Sequence, residues 1–106
     1  MTALVTGARI KIGYEIALKL LRDGATVYAT TRFTKDAMIR YQTEKDYELW
    51  KNRLYLIQCD FLAAPQVTAL IHYLKDNVKK LDILINNAAQ TLTRPKEFFT
   101  YELENQ

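Results

Sequence analysis

The segment from Thr2 to Gly13, TALVTGARIKIG, holds the pattern that decides the fold. It begins with five short, apolar and partly β-branched residues, which favour a buried strand. Gly7 then marks a turn, and from Ile12 onward the apolar residues recur at helical spacing. A strand that passes through a glycine turn into a helix is typical of the first unit of an α/β sheet.

The same alternation continues along the chain, and Asp23-Gly24 ends the first helix. The predicted strands are Thr2–Thr6, Thr26–Thr30, Leu54–Gln58 and Leu81–Ile85. The predicted helices are Ile12–Arg22, Asp36–Trp50 with a break near Thr43, and Gln66–Lys80 after Pro65. A further helix is predicted to begin within residues 97–106. Helix-length crossovers imply a parallel sheet with helices on both faces. We therefore expect a three-layer, Rossmann-type α/β sheet of about four strands, as one domain over residues 1–106.

Composition is that of a soluble globular protein, since 49% hydrophobic residues are enough to build a core. The net charge of +3 is spread along the chain, without the basic cluster that a nucleic-acid partner requires. No apolar stretch approaches the roughly 20 residues that span a bilayer, and no secretory leader is evident. One cysteine and one histidine argue against a disulfide framework and against a metal site. A cytoplasmic protein without membrane or nucleic-acid partners is expected.

The loop from Thr6 to Gly13 has the features of a phosphate-binding turn. Gly7 permits a tight turn, Gly13 permits close packing of helix on strand, and the helix N-terminus offers free N–H groups to a pyrophosphate. In open parallel sheets, ligands bind at the carboxyl ends of the strands, beside the first strand. On these residues alone, a plain strand-to-helix turn is the alternative.

Three motifs, in the same order along the chain, resemble those of the short-chain dehydrogenase/reductase family. TGARIKIG at Thr6–Gly13 is similar to the family's Thr-Gly-x-x-x-Gly-x-Gly fingerprint, and LDILINNAA at Leu81–Ala89 is similar to its fourth-strand signature. Asp60 stands where the family commonly has an acid near the adenine. The resemblance covers nearly the whole chain and matches the amino-terminal, cofactor-binding half of a family member, so the chain is expected to be part of a larger unit.

The chain departs from the family pattern at two positions. Lys11 replaces the middle glycine of the fingerprint, where its side chain would either crowd the cofactor or pair its ammonium group with a phosphate. Ala89 replaces the final glycine of the fourth-strand motif, which is a milder change because alanine is also small.

The resemblance implies a nicotinamide dinucleotide site. Gly7 and Gly13 would shape the pyrophosphate site, while Asn86 and Ala88 would lie along the adenosine ribose. The full predicted set is Gly7, Arg9, Lys11, Ile12, Gly13, Arg32, Asp60, Phe61, Asn86, Asn87 and Ala88. From the residues alone, the asparagines are equally a polar strand end that caps backbone groups, and Asp60 is equally a turn or N-cap carboxylate.

The residues that follow the second strand favour NADP(H) over NAD(H). In dinucleotide-binding folds an acid there binds the ribose 2′-hydroxyl of NAD, whereas an arginine accommodates the 2′-phosphate of NADP. No acid occurs from Thr26 to Thr34, and Arg32 lies within this stretch. Arg9 is a second positive charge for the same phosphate. A solvent-facing loop arginine is the alternative for Arg32.

The chemistry that the resemblance implies is hydride transfer between nicotinamide and a carbonyl or alcohol. The family's proton donor, a tyrosine followed four residues later by a lysine, normally lies beyond the fourth strand. The pairs Tyr41–Lys45 and Tyr47–Lys51 have this spacing but lie between the second and third strands, so we interpret both as surface pairs on a helix face. We predict no catalytic residue, and the chain alone is expected to be inactive.

Two functions are therefore considered. The first is the NADP(H)-binding portion of a short-chain oxidoreductase, whose partner would be a missing carboxy-terminal half or another copy of the chain. The second is a non-catalytic nucleotide-binding or protein-interaction module that pairs through the exposed edge of the fourth strand. A phosphoryl-receiver domain is rejected because the loop from Gly7 to Lys11 holds no acid for magnesium. Cys59 is expected to be a small buried residue and His72 a surface or boundary residue.

Overall fold

The computed structural model describes residues 1–8, 11–60 and 62–86. Strands and helices alternate along the chain as the sequence predicts. The elements are β1 (Thr2–Thr6), α1 (Lys11–Arg22), β2 (Thr26–Thr31), α2 (Thr34–Gln42), α3 (Tyr47–Trp50), a 3₁₀ turn (Lys51–Arg53), β3 (Leu54–Gln58), α4 (Ala64–Asn77) and β4 (Ile83–Asn86). The predicted bounds of β1 and β3 are confirmed to the residue, and the helix predicted at 97–106 lies outside the described residues.

The four strands form one parallel sheet in the order β3-β2-β1-β4. β1 is central, so that Leu4 pairs with Tyr28 of β2 on one side and with Leu84 of β4 on the other. From β1 the chain moves outward through β2 to β3, and the crossover through α4 returns it to the opposite side of β1. The strand order thus reverses at β1, which is the arrangement that opens a ligand crevice in such sheets.

Helices cover both faces of the sheet, which confirms the three-layer prediction. On one face, α1 and α2 enclose an apolar cluster that includes Val5, Ala17, Leu21, Ala29 and Trp50. On the other face, α4 packs against a second cluster, whose buried members are Leu4, Tyr28, Cys59, Leu70, Ile71, Leu74 and Val78. The buried side of α4 is the one that its apolar spacing predicts. None of the helices in the described residues is both long and apolar enough to cross a membrane.

The buried face of α1 is rotated from the predicted one. Ile12 was expected on the apolar face, but 67% of its surface is exposed, whereas Tyr14 and Leu18 are buried. The ring of Tyr14 packs against that of Tyr41, with centroids 4.6 Å apart, and this contact turns α1 toward α2. Local spacing did not indicate the rotation, because the partner ring lies in a different helix.

The predicted break near Thr43 is confirmed and has a local cause. The Thr43 hydroxyl donates a 2.6 Å hydrogen bond to the carbonyl oxygen of Arg40, which competes with helix continuation. The helix begins at Thr34 rather than at Asp36, and the Thr31 hydroxyl accepts a hydrogen bond from the Phe33 N–H just before it. The 3₁₀ turn is tied to α1 by Arg53, whose guanidinium donates to the carbonyl oxygens of Leu21 and Ala25.

An ion-pair cluster joins the end of α1 to the turn between α2 and α3. Arg22 Nε donates to Asp46 at 2.8 Å, and its Nη2 donates to Glu44 at 3.1 Å. The hydrogen bond from Arg22 lowers the pKa of Asp46 to about 2. The cluster therefore fixes the break that ends α2, although its exposure to solvent limits its strength.

We expect Arg22→Gln to reduce the acid sensitivity of folding. The folded pKa of Asp46 is depressed, so the pair stabilises the chain above about pH 4 and this contribution is lost as the pH falls toward about 2. Urea unfolding at several pH values should then show that, between about pH 5 and pH 2, the free energy of unfolding falls less in the variant than in the unchanged chain. Lys19→Gln removes the same charge from α1 without touching Asp46 and is the control; equal pH dependence in all three proteins would contradict the prediction.

Candidate functional site

The turn at the carboxyl end of β1 is built around Gly7 and Ala8. Gly7 has a φ of +66°, a left-handed conformation that costs glycine little because it lacks a Cβ. Ala8 is fully buried, and its N–H donates to the carbonyl oxygen of Thr30 at the end of β2, with a length of 3.1 Å. The turn therefore leaves the sheet at the switch point, anchored between β1 and β2.

Lys11 keeps a backbone conformation suited to glycine, although it is a lysine. It is the first residue of α1, its φ is +57°, and it is exposed. A residue with a Cβ adopts this conformation at a cost of about 1–2 kcal/mol. The departure from the family fingerprint is thus in the side chain, while the backbone has the conformation that a glycine would readily adopt.

A row of polar side chains crosses the carboxyl ends of three strands. Thr30, Thr6 and Asn86 are neighbours in the register of β2, β1 and β4. The Thr6 hydroxyl donates to Asn86 Oδ1 at 3.0 Å, joining the two strands on either side of the switch point. Thr30 Oγ1 and Asn86 Nδ2 are buried and have no hydrogen-bond partner within the described part of the chain. Buried polar groups of this kind are usually paired, and a polar ligand is one source of partners.

Arg32 and Asp60 follow the ends of β2 and β3, on the same edge of the sheet. Arg32 is exposed, and its guanidinium carbon lies 5.3 Å from the centre of the Phe33 ring. Asp60 is half-buried in a turn, where its carboxylate accepts a hydrogen bond from the Leu62 N–H and its own N–H donates to Gln66. The interpretation of Asp60 as a turn carboxylate therefore has a direct structural basis, independent of any role near an adenine.

The remaining predicted site residues divide into two groups. Gly13 is buried in the first turn of α1, while Ile12 beside it faces solvent. The others, Arg9, Phe61, Asn87 and Ala88, lie outside the described residues. Gly7, Lys11, Arg32, Asp60 and Asn86 all lie at the carboxyl edge, as the sequence predicts.

The interpretation of Tyr41–Lys45 as a surface pair on one helix face is wrong, whereas Tyr47 and Lys51 do lie one helical turn apart, with Lys51 exposed. Tyr41 is fully buried, and α2 ends at Gln42, so Lys45 is not on the same helix. The Tyr41 hydroxyl instead donates a 2.6 Å hydrogen bond to the carbonyl oxygen of Ala8. Tyr47 is half-buried and bonds to the sulfur of Met38, while Lys51 pairs with Glu48. Both tyrosine hydroxyls thus donate to groups other than the lysine of the pair.

Tyr41 is the residue that sequence reasoning missed. Ala37 and Tyr41 are spaced by four residues and are the buried residues of α2, a spacing that was available as a signal for the core. Its partner Ala8 lies 33 residues away in sequence, so the hydrogen bond itself had no local signature.

Cys59 and His72 occupy the expected environments. Cys59 is buried at the end of β3, and burial raises the pKa of its thiol to about 11. It is therefore protonated at neutral pH and unsuited to nucleophilic chemistry. His72 is exposed on α4. No cluster of three metal-ligating side chains occurs among residues 1–8, 11–60 and 62–86.

The chemistry of this edge fits a dinucleotide. It offers a helix N-terminus, the left-handed turn at Gly7 and the cations of Lys11 and Arg32, all of which suit phosphate groups. The fold is that of a Rossmann-type parallel α/β sheet. The short chain dehydrogenase family model matches residues 1–105, and the chain belongs to that family.

Individual relatives are similar to this chain over most of its length. A mimivirus protein of uncharacterized function, from Acanthamoeba polyphaga mimivirus, is 44% identical over 95 residues, which cover 85% of this chain and 20% of that protein. The (-)-isopiperitenone reductase of Mentha piperita is 39% identical over 87 residues, covering 81% of this chain and 28% of the enzyme. The chain thus spans 20% and 28% of the lengths of these two relatives.

Among solved structures, an NADPH-bound short chain oxidoreductase from Pseudomonas aeruginosa, which has an atypical catalytic center, is similar with a TM-score of 0.75 and 25% identity. The match covers 99% of this chain and 49% of that protein. The menthone neomenthol reductase of Mentha piperita gives a TM-score of 0.70 at 33% identity, over 82% of this chain and 31% of the enzyme.

We expect Lys11→Gly to raise the free energy of unfolding by about 0.5–1 kcal/mol, measured by urea denaturation. Relief of about 1–2 kcal/mol of left-handed strain exceeds the roughly 0.5–1 kcal/mol that the greater backbone freedom of glycine costs. Lys19→Gly, in the last turn of the same helix, is the control and should lower stability by about 0.5–1 kcal/mol. If both variants are destabilised alike, Lys11 does not hold a left-handed conformation in solution.

Proposed function

We propose that the chain binds NADP(H) at the carboxyl edge of its sheet, as the dinucleotide-binding portion of a short-chain oxidoreductase. The observation that carries the proposal is the position of the glycine turn, which leaves β1 where the strand order reverses. The pyrophosphate would lie against the N-terminus of α1, where the helix dipole and free N–H groups favour an anion. Asn86, fixed through Thr6, would lie along the adenosine ribose.

The preference for NADP(H) rests on charge at the end of β2. Arg32 is exposed there, and the stretch from Thr26 to Thr34 contains no carboxylate to bind a ribose 2′-hydroxyl. A guanidinium binds a phosphate through two parallel hydrogen bonds, which an uncharged ribose hydroxyl does not match. The NADPH that accompanies the Pseudomonas aeruginosa relative supports the same assignment.

Hydride transfer to or from a carbonyl or alcohol is proposed for the whole protein, not for these residues alone. The chain corresponds to 20–49% of the length of the four relatives described above. The tyrosines of its two Tyr-x-x-x-Lys sequences have structural contacts, since the Tyr41 hydroxyl donates to the Ala8 carbonyl oxygen and the Tyr47 hydroxyl to the Met38 sulfur. We therefore propose that residues 1–106 are one cofactor-binding domain whose proton donor comes from a further segment.

We expect NADPH to bind more tightly than NADH, and Arg32→Ala to remove most of the difference. Loss of a charge-assisted contact with the 2′-phosphate should weaken NADPH binding about 10- to 100-fold and leave NADH unchanged. Titration followed by the fluorescence of the reduced nicotinamide measures both affinities. Lys79→Ala is the matched control. It also removes one positive charge, but Lys79 lies between α4 and β4, at the amino ends of the strands and away from the proposed site. If neither dinucleotide binds at millimolar concentration, the proposed function is wrong for this chain.

We also expect the 106-residue chain to bind NADPH without oxidising it when carbonyl compounds are added. The physical reason is the absence, within the described residues, of a tyrosine hydroxyl paired with a lysine at the sheet edge. Loss of nicotinamide absorbance over time measures turnover. Sustained turnover by the chain, abolished by Tyr47→Phe, would contradict the prediction.

The position of β4 at an edge of the described sheet favours a second candidate, a non-catalytic module that pairs with another chain. Sedimentation velocity separates the two proposals. A concentration-dependent dimer that binds neither NADPH nor NADH would support the module, whereas a monomer that binds NADPH would support the oxidoreductase portion.

A further inference from the structure

The side chain of Tyr41 contacts the backbone of the candidate phosphate loop, the segment from Thr6 to Gly13. Its hydroxyl donates a 2.6 Å hydrogen bond to the carbonyl oxygen of Ala8, and both residues are fully buried. Because the N–H of Ala8 donates to Thr30, both backbone polar groups of Ala8 are fixed. Ala8 directly precedes the segment that leads into Lys11 and the N-terminus of α1.

The position of this hydroxyl is set by the packing of its ring. The Tyr41 ring lies 4.6 Å from that of Tyr14 in α1 and meets the indole of Trp50 edge-on at 6.1 Å. Burial also raises the pKa of the Tyr41 hydroxyl well above its usual value, so it remains a hydrogen-bond donor at any physiological pH. A rigid donor of this kind holds its acceptor in one place.

We infer that Tyr41 is a positioning residue for dinucleotide binding, an inference that rests on the proposed function. By fixing the Ala8 carbonyl, it would position the turn at the end of β1 relative to the N-terminus of α1, whose N–H groups would meet a pyrophosphate. A loop that is already ordered loses less conformational entropy when its ligand binds. The hydroxyl therefore acts on affinity through the backbone of the loop and does not touch the ligand itself.

The test is Tyr41→Phe, which keeps the ring and removes the hydroxyl. We expect NADPH and NADH, which both carry a pyrophosphate, to bind about five- to tenfold more weakly, the effect of roughly one hydrogen bond. Adenosine 2′-monophosphate, which has no 5′-phosphate and so no part of the pyrophosphate, should bind the variant and the unchanged chain equally. This split separates a role in positioning from a general loss of structure, which would weaken all three ligands.

Tyr14→Phe is the matched control. It removes a hydroxyl from the adjoining ring, whose contacts are the Arg40 carbonyl oxygen and the Glu44 carboxylate rather than the loop. It should lower the melting temperature while leaving all three affinities unchanged. Equal affinities of Tyr41→Phe and the unchanged chain for NADPH would overturn the inference, as would a uniform loss for the three ligands. Failure of the unchanged chain to bind any of them would overturn the proposed function itself.

Should Tyr41→Phe not fold, the unchanged chain supports a second measurement. The chemical shift of the tyrosine Cζ carbon reports hydrogen bonding of its hydroxyl, and selective labelling makes the Tyr41 signal accessible. That signal should have the shift of a hydrogen-bonded hydroxyl in the free chain and should keep it when NADPH is added, because the contact is formed before the ligand binds. A free-hydroxyl shift in the unliganded chain, or a large change on addition of NADPH, would contradict the inference.

Discussion

The parallel pairing of β1 on both of its sides is the constraint on which the rest of the molecule depends. Residues 3–6 of this strand are fully buried, and every one of them is paired with β2 and with β4. Two hydrogen-bonded neighbours pair the polar backbone groups of this strand. Because both of its faces are also covered, its central side chains, Ala3, Leu4 and Val5, are apolar. Both apolar clusters contain a residue of β1, Val5 on one face and Leu4 on the other.

The end of β1 is also where the apolar sequence gives way to polar groups. Thr6 is still fully buried, but its hydroxyl reaches Asn86 in the neighbouring strand. One residue later the chain takes a left-handed turn at Gly7 and passes over the end of β2. The register of the sheet thus aligns Thr30, Thr6 and Asn86, so the position of these side chains is set by the buried centre of the sheet. Loops that are anchored in this way are suited to bind ligands with little rearrangement.

Much of the fold could be predicted because its causes are local. The bounds of β1 and β3, the buried side of α4 and the break at Thr43 each follow from residues within a few positions of one another. The rotation of α1 could not be predicted, since it depends on the packing of Tyr14 against a ring 27 positions away. The role of Tyr41 could not be predicted either. Its spacing to Lys45 indicated a surface pair, whereas its hydroxyl donates to the carbonyl oxygen of Ala8, which is distant in sequence.

The candidate site shows the same division between local and distant causes. The turn at Gly7 and the placement of Arg32 and Asp60 at strand ends follow from the alternation of strands and helices along the chain. The left-handed backbone of Lys11 was not indicated by its residue type, because lysine disfavours that conformation. The family pattern has a glycine at this position, and the backbone of Lys11 has a conformation that glycine readily adopts.

The aromatic packing around Tyr41 also determines how the protein can be observed. Trp50 is the one tryptophan of the chain; it is almost completely buried and meets the rings of both Tyr41 and Tyr47 edge-on. Its emission therefore originates from one defined environment, one ring away from the hydroxyl that binds the loop. Reduced nicotinamide absorbs in the range where a buried indole emits, so a bound dinucleotide would quench this signal by energy transfer. The emission wavelength of Trp50 would thus report whether the core is intact, and its emission intensity would report whether a dinucleotide is bound at the carboxyl ends of the strands.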